Sequence, residues 1–295
     1  MYNKFKIINK DIYNLEIEKT KLKLKTLVYK LTSFGYDEQS LSELKNKISD
    51  KWKYLIEEKK DDKNIDKDRE KNKIENDIIN NKEDNNNINN IKEKITKEEV
   101  EYMCKLMNKK VYRKYFLIQI NNFRTLGVYK IPLEIFNYIK QIFIEISKYL
   151  IIENNNENNK IIIDTEIGKI IIILSQTFYY MNDDGQKDYI QKEIKNEKIF
   201  HMKEFWTQVI KTYIEIELKT VEENEKMYNN KETDEIIKNR RNNIAFAQIV
   251  PYVGGMAGFG LNKDEIKNIV LPLIDEYGIS NENKDIIFGL IENEN

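Results

Sequence analysis

Residues 161–180 read IIIDTEIGKIIIILSQTFYY, and whether this stretch is strand or helix decides the fold class. Isoleucine branches at Cβ and is enriched in strands, so the run Ile170 to Ile173 has the composition of a buried strand. Yet residues 168–180 exceed an ordinary strand in length, and no neighbouring segment offers a partner strand. A buried helix is the expected state, and the chain is read as all-α: a multi-helix bundle or irregular helical array with long low-complexity loops.

Helical periodicity continues on both sides. Upstream, Pro132 suits the first turn of a helix whose Ile135, Phe136, Ile139, Phe143 and Ile146 recur at three- and four-residue steps. Before it, Thr96 and Glu99 have capping-box spacing and lead into Val100, Met103, Met107 and Val111. Downstream, Asp183-Asp184-Gly185 marks a turn. A short helix follows around Tyr189, Ile190 and Ile194, then a longer one carrying Phe205, Trp206, Val209, Ile210 and Tyr213. Phe246, Ile249, Val250 and Val253 share another helical face. Pro251 within it implies a kink, and Gly254 and Gly255 imply a loosened backbone beyond. Gly260 is expected at positive φ between Phe259 and Leu261, ahead of a helix capped by Asn262 and Glu265 and closed by Gly278. No hairpin or strand–helix–strand alternation is visible.

The first 58 residues read as a helical pair. Leu15, Leu22, Leu24, Leu27, Val28 and Leu31 form one loose stripe that ends at Ser33-Phe34-Gly35, and Leu41, Leu44, Ile48, Trp52 and Leu55 form the second. Such a pair buries too little surface to stand alone, so it is expected to pack on the main domain. Residues 59–93 are Asn- and Lys-rich with almost no aromatics, the composition of a disordered linker. Residues 94–292 form the main helical domain. Similar tracts at Glu153–Lys160 and Glu222–Asn239 are expected to be loops.

The chain has 295 residues, with Lys+Arg 49 against Asp+Glu 50 and a net charge of -1. That balance lacks the basic excess of a nucleic-acid-binding domain, so no nucleic-acid partner is expected. The longest apolar run, Ile170 to Leu174, is far short of a membrane span. A single cysteine, Cys104, cannot form an internal disulfide, and the N-terminus MYNKFKIINKDIYNL has no continuous apolar core. A cytoplasmic protein without an integral membrane segment is expected.

Chemistry-bearing residues are sparse. His201 is the only histidine; between aromatic neighbours it reads as a packed or helix-capping side chain, and Cys104 beside Met103 reads as a buried inert thiol. The run Gly254 to Gly260 lacks the Lys-Ser/Thr of a phosphate loop. Asn182-Asp183-Asp184-Gly185 lacks the acidic first position of a calcium loop. Arg113, Arg124, Arg240 and Arg241 have no motif around them that marks an arginine finger. No catalytic residue, cofactor or metal is expected.

Three blocks together resemble the helical domain shared by the SET-binding factors, which are myotubularin-related pseudophosphatases, and by small stand-alone proteins of that family. The first is Ile167 to Tyr180. The second is Lys187 to Trp206, with Tyr189-Ile190, Ile194-Lys195, Ile199-Phe200 and Phe205-Trp206 at the family's offsets. The third carries Ile244, Phe246, Gln248, Met256, Phe259, Gly260, Leu261, Asn262 and Lys263. Weaker similarity reaches back to Tyr115. The resemblance implies a helical, cytoplasmic, non-enzymatic module whose signature residues are structural. It also hints at membrane trafficking. Two functions are therefore expected to compete: an adaptor holding a protein segment in a groove between helices, or a regulator of a small GTPase or enzyme with an unrecognised site. An open helical surface favours the first, a deep pocket of convergent ionisable groups the second.

Overall fold

The computed structural model describes residues 2–33, 95–125, 127–153, 161–228 and 234–293. Among these residues the fold is all-α, with ten α-helices and two small antiparallel hairpins. The helices are α1 (Tyr2–Ser33), α2 (Lys97–Leu106), α3 (Lys110–Thr125), α4 (Leu133–Ser147), α5 (Thr165–Ser175), α6 (Ile190–Ile194), α7 (Lys203–Tyr228), α8 (Asp234–Gly258), α9 (Lys263–Tyr277) and α10 (Asn281–Asn293).

The deciding stretch is a helix in its middle and strand at both ends. Asp164 caps α5, its Oδ1 accepting from the Ile167 N–H at 3.5 Å. Ile167, Ile171, Ile172 and Leu174 are buried between α3 and α7, so the isoleucine run is a core helix. The expectation that no hairpin occurs is corrected. β1 (Ile151–Glu153) pairs with β2 (Ile161–Ile163), and β3 (Tyr179–Met181) pairs with β4 (Lys187–Tyr189). Each strand is three residues long, too short to display period-2 alternation, while β-branched and aromatic residues still favour extended backbone there. The second hairpin closes at the expected turn, with Gly185 at φ 73° and the Asn182 Oδ1 accepting from the Gln186 N–H at 2.8 Å. Tyr189 accordingly ends a strand, and the short helix begins at Ile190.

α1 lies against the main domain. Leu24, Leu27, Val28 and Leu31 are buried and the helix packs on α3, whereas Leu15 and Leu22 of the same apolar pattern are exposed. The Lys30 Nζ meets the Glu99 Oε1 at 2.9 Å. Glu99 also completes the capping box of α2, its Oε2 accepting from the Thr96 N–H at 3.0 Å. One carboxylate therefore serves both the start of α2 and the docking of α1. The Leu41–Leu55 stripe and the 59–93 linker lie outside the described residues.

Two further expectations are corrected in the C-terminal half. Most of the Glu222–Asn239 tract is helical, because α7 runs to Tyr228 and α8 starts at Asp234. Glu and Lys are good helix formers, and the asparagine content masks that propensity. The backbone also does not loosen at Gly254 and Gly255, since α8 continues through Pro251 and both glycines to Gly258. Packing accounts for this persistence. α8 is held along its length by α7, α9 and α10, and a small residue at Gly258 leaves room for the Gln191 side chain, which an added Cβ would strike.

Gly168 shows a close approach to a more rigid neighbour, since a Cβ there would sit 2.8 Å from the buried Phe205 ring. Gly289, in α10, has nothing within 4 Å of that position. One substitution should therefore act with opposite sign at the two sites. Gly289→Ala should stabilise by about 0.5–1 kcal/mol through helix propensity. Gly168→Ala should lose about 1–3 kcal/mol to overpacking, less that propensity gain. Thermal melts of both variants check this, and a raised melting temperature for Gly168→Ala would contradict the packing described.

Candidate functional site

Five of the signature residues, Phe200, Phe205, Trp206, Met256 and Phe259, assemble into one aromatic nucleus where three elements meet. A 3-10 turn, Lys198–His201, delivers Phe200; the first turn of α7 delivers Phe205 and Trp206; the end of α8 delivers Tyr252, Met256 and Phe259. Phe200, Phe205, Trp206, Met256 and Phe259 are all fully buried. The Phe200 ring lies 4.3 Å from Phe259 and 5.5 Å from Phe205, and Trp206 lies 5.6 Å from Phe259 in an edge-on arrangement; the two edge-on pairs have the geometry of favourable aromatic contacts. The indole N–H of Trp206 donates to the Phe200 carbonyl at 2.8 Å, so the one polar atom of this large ring is satisfied.

The exit from α8 is built by Gly260. Its φ is 90°, a left-handed conformation that glycine adopts without a Cβ penalty. The Leu261 N–H donates to the Met256 carbonyl at 3.1 Å and the Gly260 N–H to the Ala257 carbonyl at 2.8 Å, the paired bonds of a Schellman cap. Leu261 is buried beyond the corner, and Asn262 with Glu265 forms the capping box of α9. Tyr189, Phe246 and Gln248 are half-buried; the Tyr189 ring sits 5.5 Å from Tyr179 across the second hairpin.

The chemistry-bearing side chains are dispersed. His201 is exposed at the end of the 3-10 turn, so of the two expected states, packed or helix-capping, the packed one is corrected: the turn points Phe200 inward and leaves its neighbour outside. Cys104 is half-buried, in a surface groove between α2 and α4, and not on the fully buried stripe. Burial and the nearby Glu145 push its thiol up to about 11, against a smaller opposing effect of Lys148. It is a thiol, not a thiolate, at neutral pH. Arg113 is buried, its Nη1 donating to the Met107 carbonyl at 2.7 Å. Arg124 donates from Nε to Asn121 at 2.7 Å, and Arg241 lies over the Tyr277 ring at 5.6 Å. Among the described residues no group of three or more His, Cys, Asp or Glu side chains could hold a metal ion.

Arg240 is placed differently. It lines an open groove of about 530 Å³ between α7 and α8. Glu217 stands on the α7 wall, and a single stripe of α8 forms the rest. Ile236, Ile244 and Ala247 supply its apolar surface, and Asn239, Asn243 and Gln248 supply amides. Ala247 contributes more than a methyl group: Pro251 has no N–H, so the Ala247 carbonyl lacks its helical donor. Two signature residues, Ile244 and Gln248, thus face the groove, while Met256 faces the nucleus. Beside the groove, burial lowers the Lys169 ammonium against an opposing pull from Glu217, and its Nζ lies over the Tyr213 ring at 3.3 Å. The groove stripe was legible only as steps of three and four at positions 236, 240, 243 and 247, and its first position lies inside the Glu222–Asn239 tract, whose composition reads as loop.

No family model, curated protein or solved structure matches this chain. No helix among the described residues is long and apolar enough to cross a membrane.

If the nucleus is the structural centre, removing its largest ring should be expensive. Trp206→Ala is expected to lose about 3–5 kcal/mol in urea denaturation. A loss below about 1 kcal/mol, the ordinary range for a surface site, would remove Trp206 from the centre of the fold.

Proposed function

We propose that the protein is a non-enzymatic helical adaptor or scaffold that binds protein partners through the α7–α8 groove. The observation that carries this reading is the groove itself. It is open, mixes isoleucine and alanine with amides and one charge of each sign, and is lined by a row of α8 side chains with Glu217 of α7 beside it. A third helix or an extended segment fits such a surface by laying its own side chains into the row. Ile216 of α7 and Ile237 of α8 are also exposed and add apolar surface to the same two helices. An adaptor reading also suits the sequence resemblance, because the residues that carry it serve packing and groove shape. On that resemblance the proposal extends to a cytoplasmic role in membrane trafficking or cytoskeletal organisation.

Ala247→Arg tests the assignment. The position is exposed, and arginine matches alanine closely in helix propensity, so the melting temperature should hold while a bulky cation fills the groove. In proximity labelling from the native cell, the wild type should mark a recurrent set of proteins and the variant should lose that set. An unchanged set around a normally folded Ala247→Arg protein would place partner binding elsewhere.

A further inference from the structure

The β3–β4 hairpin has a third neighbour. The Tyr179 N–H donates to the Tyr129 carbonyl at 3.0 Å and the Ile131 N–H to the Tyr179 carbonyl at 2.9 Å, which bridges Lys130 to Tyr179 in parallel. Successive side chains in extended backbone point to opposite faces, and paired residues share a face. Tyr180 turns toward α4, where its ring lies 4.7 Å from Phe136. The opposite face carries Lys130, Tyr179 and Tyr189 in one row, with Met181 and Lys187 in the next. This face is reachable from solvent: Lys130, Met181 and Lys187 are exposed, and both tyrosines are half-buried.

The charge of this face has one sign. Neither Lys130 nor Lys187 pairs with a carboxylate among the described residues; the Lys187 Nζ lies instead 4.7 Å over the Tyr179 ring. The one acid of the two strands, Asp188, is in register with Tyr180 and belongs to the opposite face, where Lys192 holds it at 2.6 Å. Asp183 and Asp184 lie in the turn, beyond the Met181–Lys187 row. The net charge of -1, on which no nucleic-acid partner is expected, averages over the whole surface and hides this local excess. Two unpaired ammonium groups beside two phenol rings 5.5 Å apart match a ligand that alternates anions with planar rings. A single strand of nucleic acid has that chemistry, a duplex keeps its bases stacked inside, and a lipid headgroup supplies the anion without the ring. We infer that this face binds single-stranded nucleic acid without base preference. A base stacks on Tyr189, and Lys130 and Lys187 meet neighbouring phosphates. Adjacent strands lie about 4.8 Å apart, so the row from Lys130 to Tyr189 spans about 10 Å and serves about two nucleotides, which makes the binding weak. None of these residues lines the α7–α8 groove, so the inference stands apart from the adaptor reading.

Fluorescence anisotropy of an end-labelled deoxythymidine strand of about ten nucleotides tests this, with protein up to about 1 mM. Two phosphate contacts predict a slope of about −1.4 in log K against log salt, between about 50 and 200 mM. Lys130→Glu and Lys187→Glu, both at exposed positions, should each weaken binding at least about fivefold with an unchanged melting temperature. A strand of the same length without bases keeps every phosphate and should bind at least about tenfold more weakly. Tyr189→Leu keeps apolar bulk, removes the ring and should give a similar loss. Should that variant fail to fold, the baseless strand makes the same comparison on the wild type. No binding at about 1 mM protein, equal affinity for the baseless strand, or charge reversals that leave affinity unchanged would each overturn the inference. Capture by phosphatidylserine vesicles with no oligonucleotide bound would assign the face to a membrane and overturn it as well.

Discussion

The indole N–H of Trp206 donates to the carbonyl of Phe200 at 2.8 Å, and the C-terminal half of the molecule is arranged around that bond. A fully buried indole left without an acceptor costs roughly 1–3 kcal/mol, so the 3-10 turn must bring a free carbonyl to the ring. The same turn then points Phe200 at Phe259 and Phe205. Those two rings fix the end of α8 and the start of α7, and Phe205 in turn leaves room only for a glycine at position 168 of α5. A short polar contact thus sets the relative placement of three helices whose packing is otherwise apolar and tolerant of small shifts.

α8 connects this nucleus to the surface. Its buried side carries Ala245, Ile249, Tyr252, Val253 and Met256, and its outer side carries Asn243, Ala247 and the exposed Pro251. Glycine at 258 leaves room for the Gln191 side chain against the helix end. Pro251 lies on the outer side, where its missing N–H leaves an accessible carbonyl and no buried orphan. The proline and glycines that look like helix breakers in the sequence instead divide the helix between a tightly packed inner side and a groove with open bonding capacity.

Reading the sequence recovered the parts governed by local rules. Both capping boxes, at Thr96–Glu99 and Asn262–Glu265, form as spaced, and Gly260 and Gly278 take the left-handed corners, because these features depend on a few adjacent residues. α5 was legible because eleven helical residues outlast any plausible unpaired strand. The hairpins were not, since three-residue strands declare themselves only through their partner. His201 was misplaced because its aromatic neighbours say nothing about which residue of a 3-10 turn points inward. The start of the groove, Ile236 and Asn239, was hidden for a compositional reason: Asn-rich helix ends look like loops until tertiary packing holds them. The Trp206–Phe200 bond spans six residues across a helix start and follows no periodic pattern.

The dependence of the fold on this bond is measured most directly by hydrogen exchange at the indole itself. In a Trp52→Phe background, Trp206 is the sole indole. Its N–H should then exchange only through global unfolding, with a protection free energy within about 1 kcal/mol of the stability from urea denaturation. Exchange at the rate of an exposed indole while the protein remains folded would show that the bond opens freely, and would contradict the account.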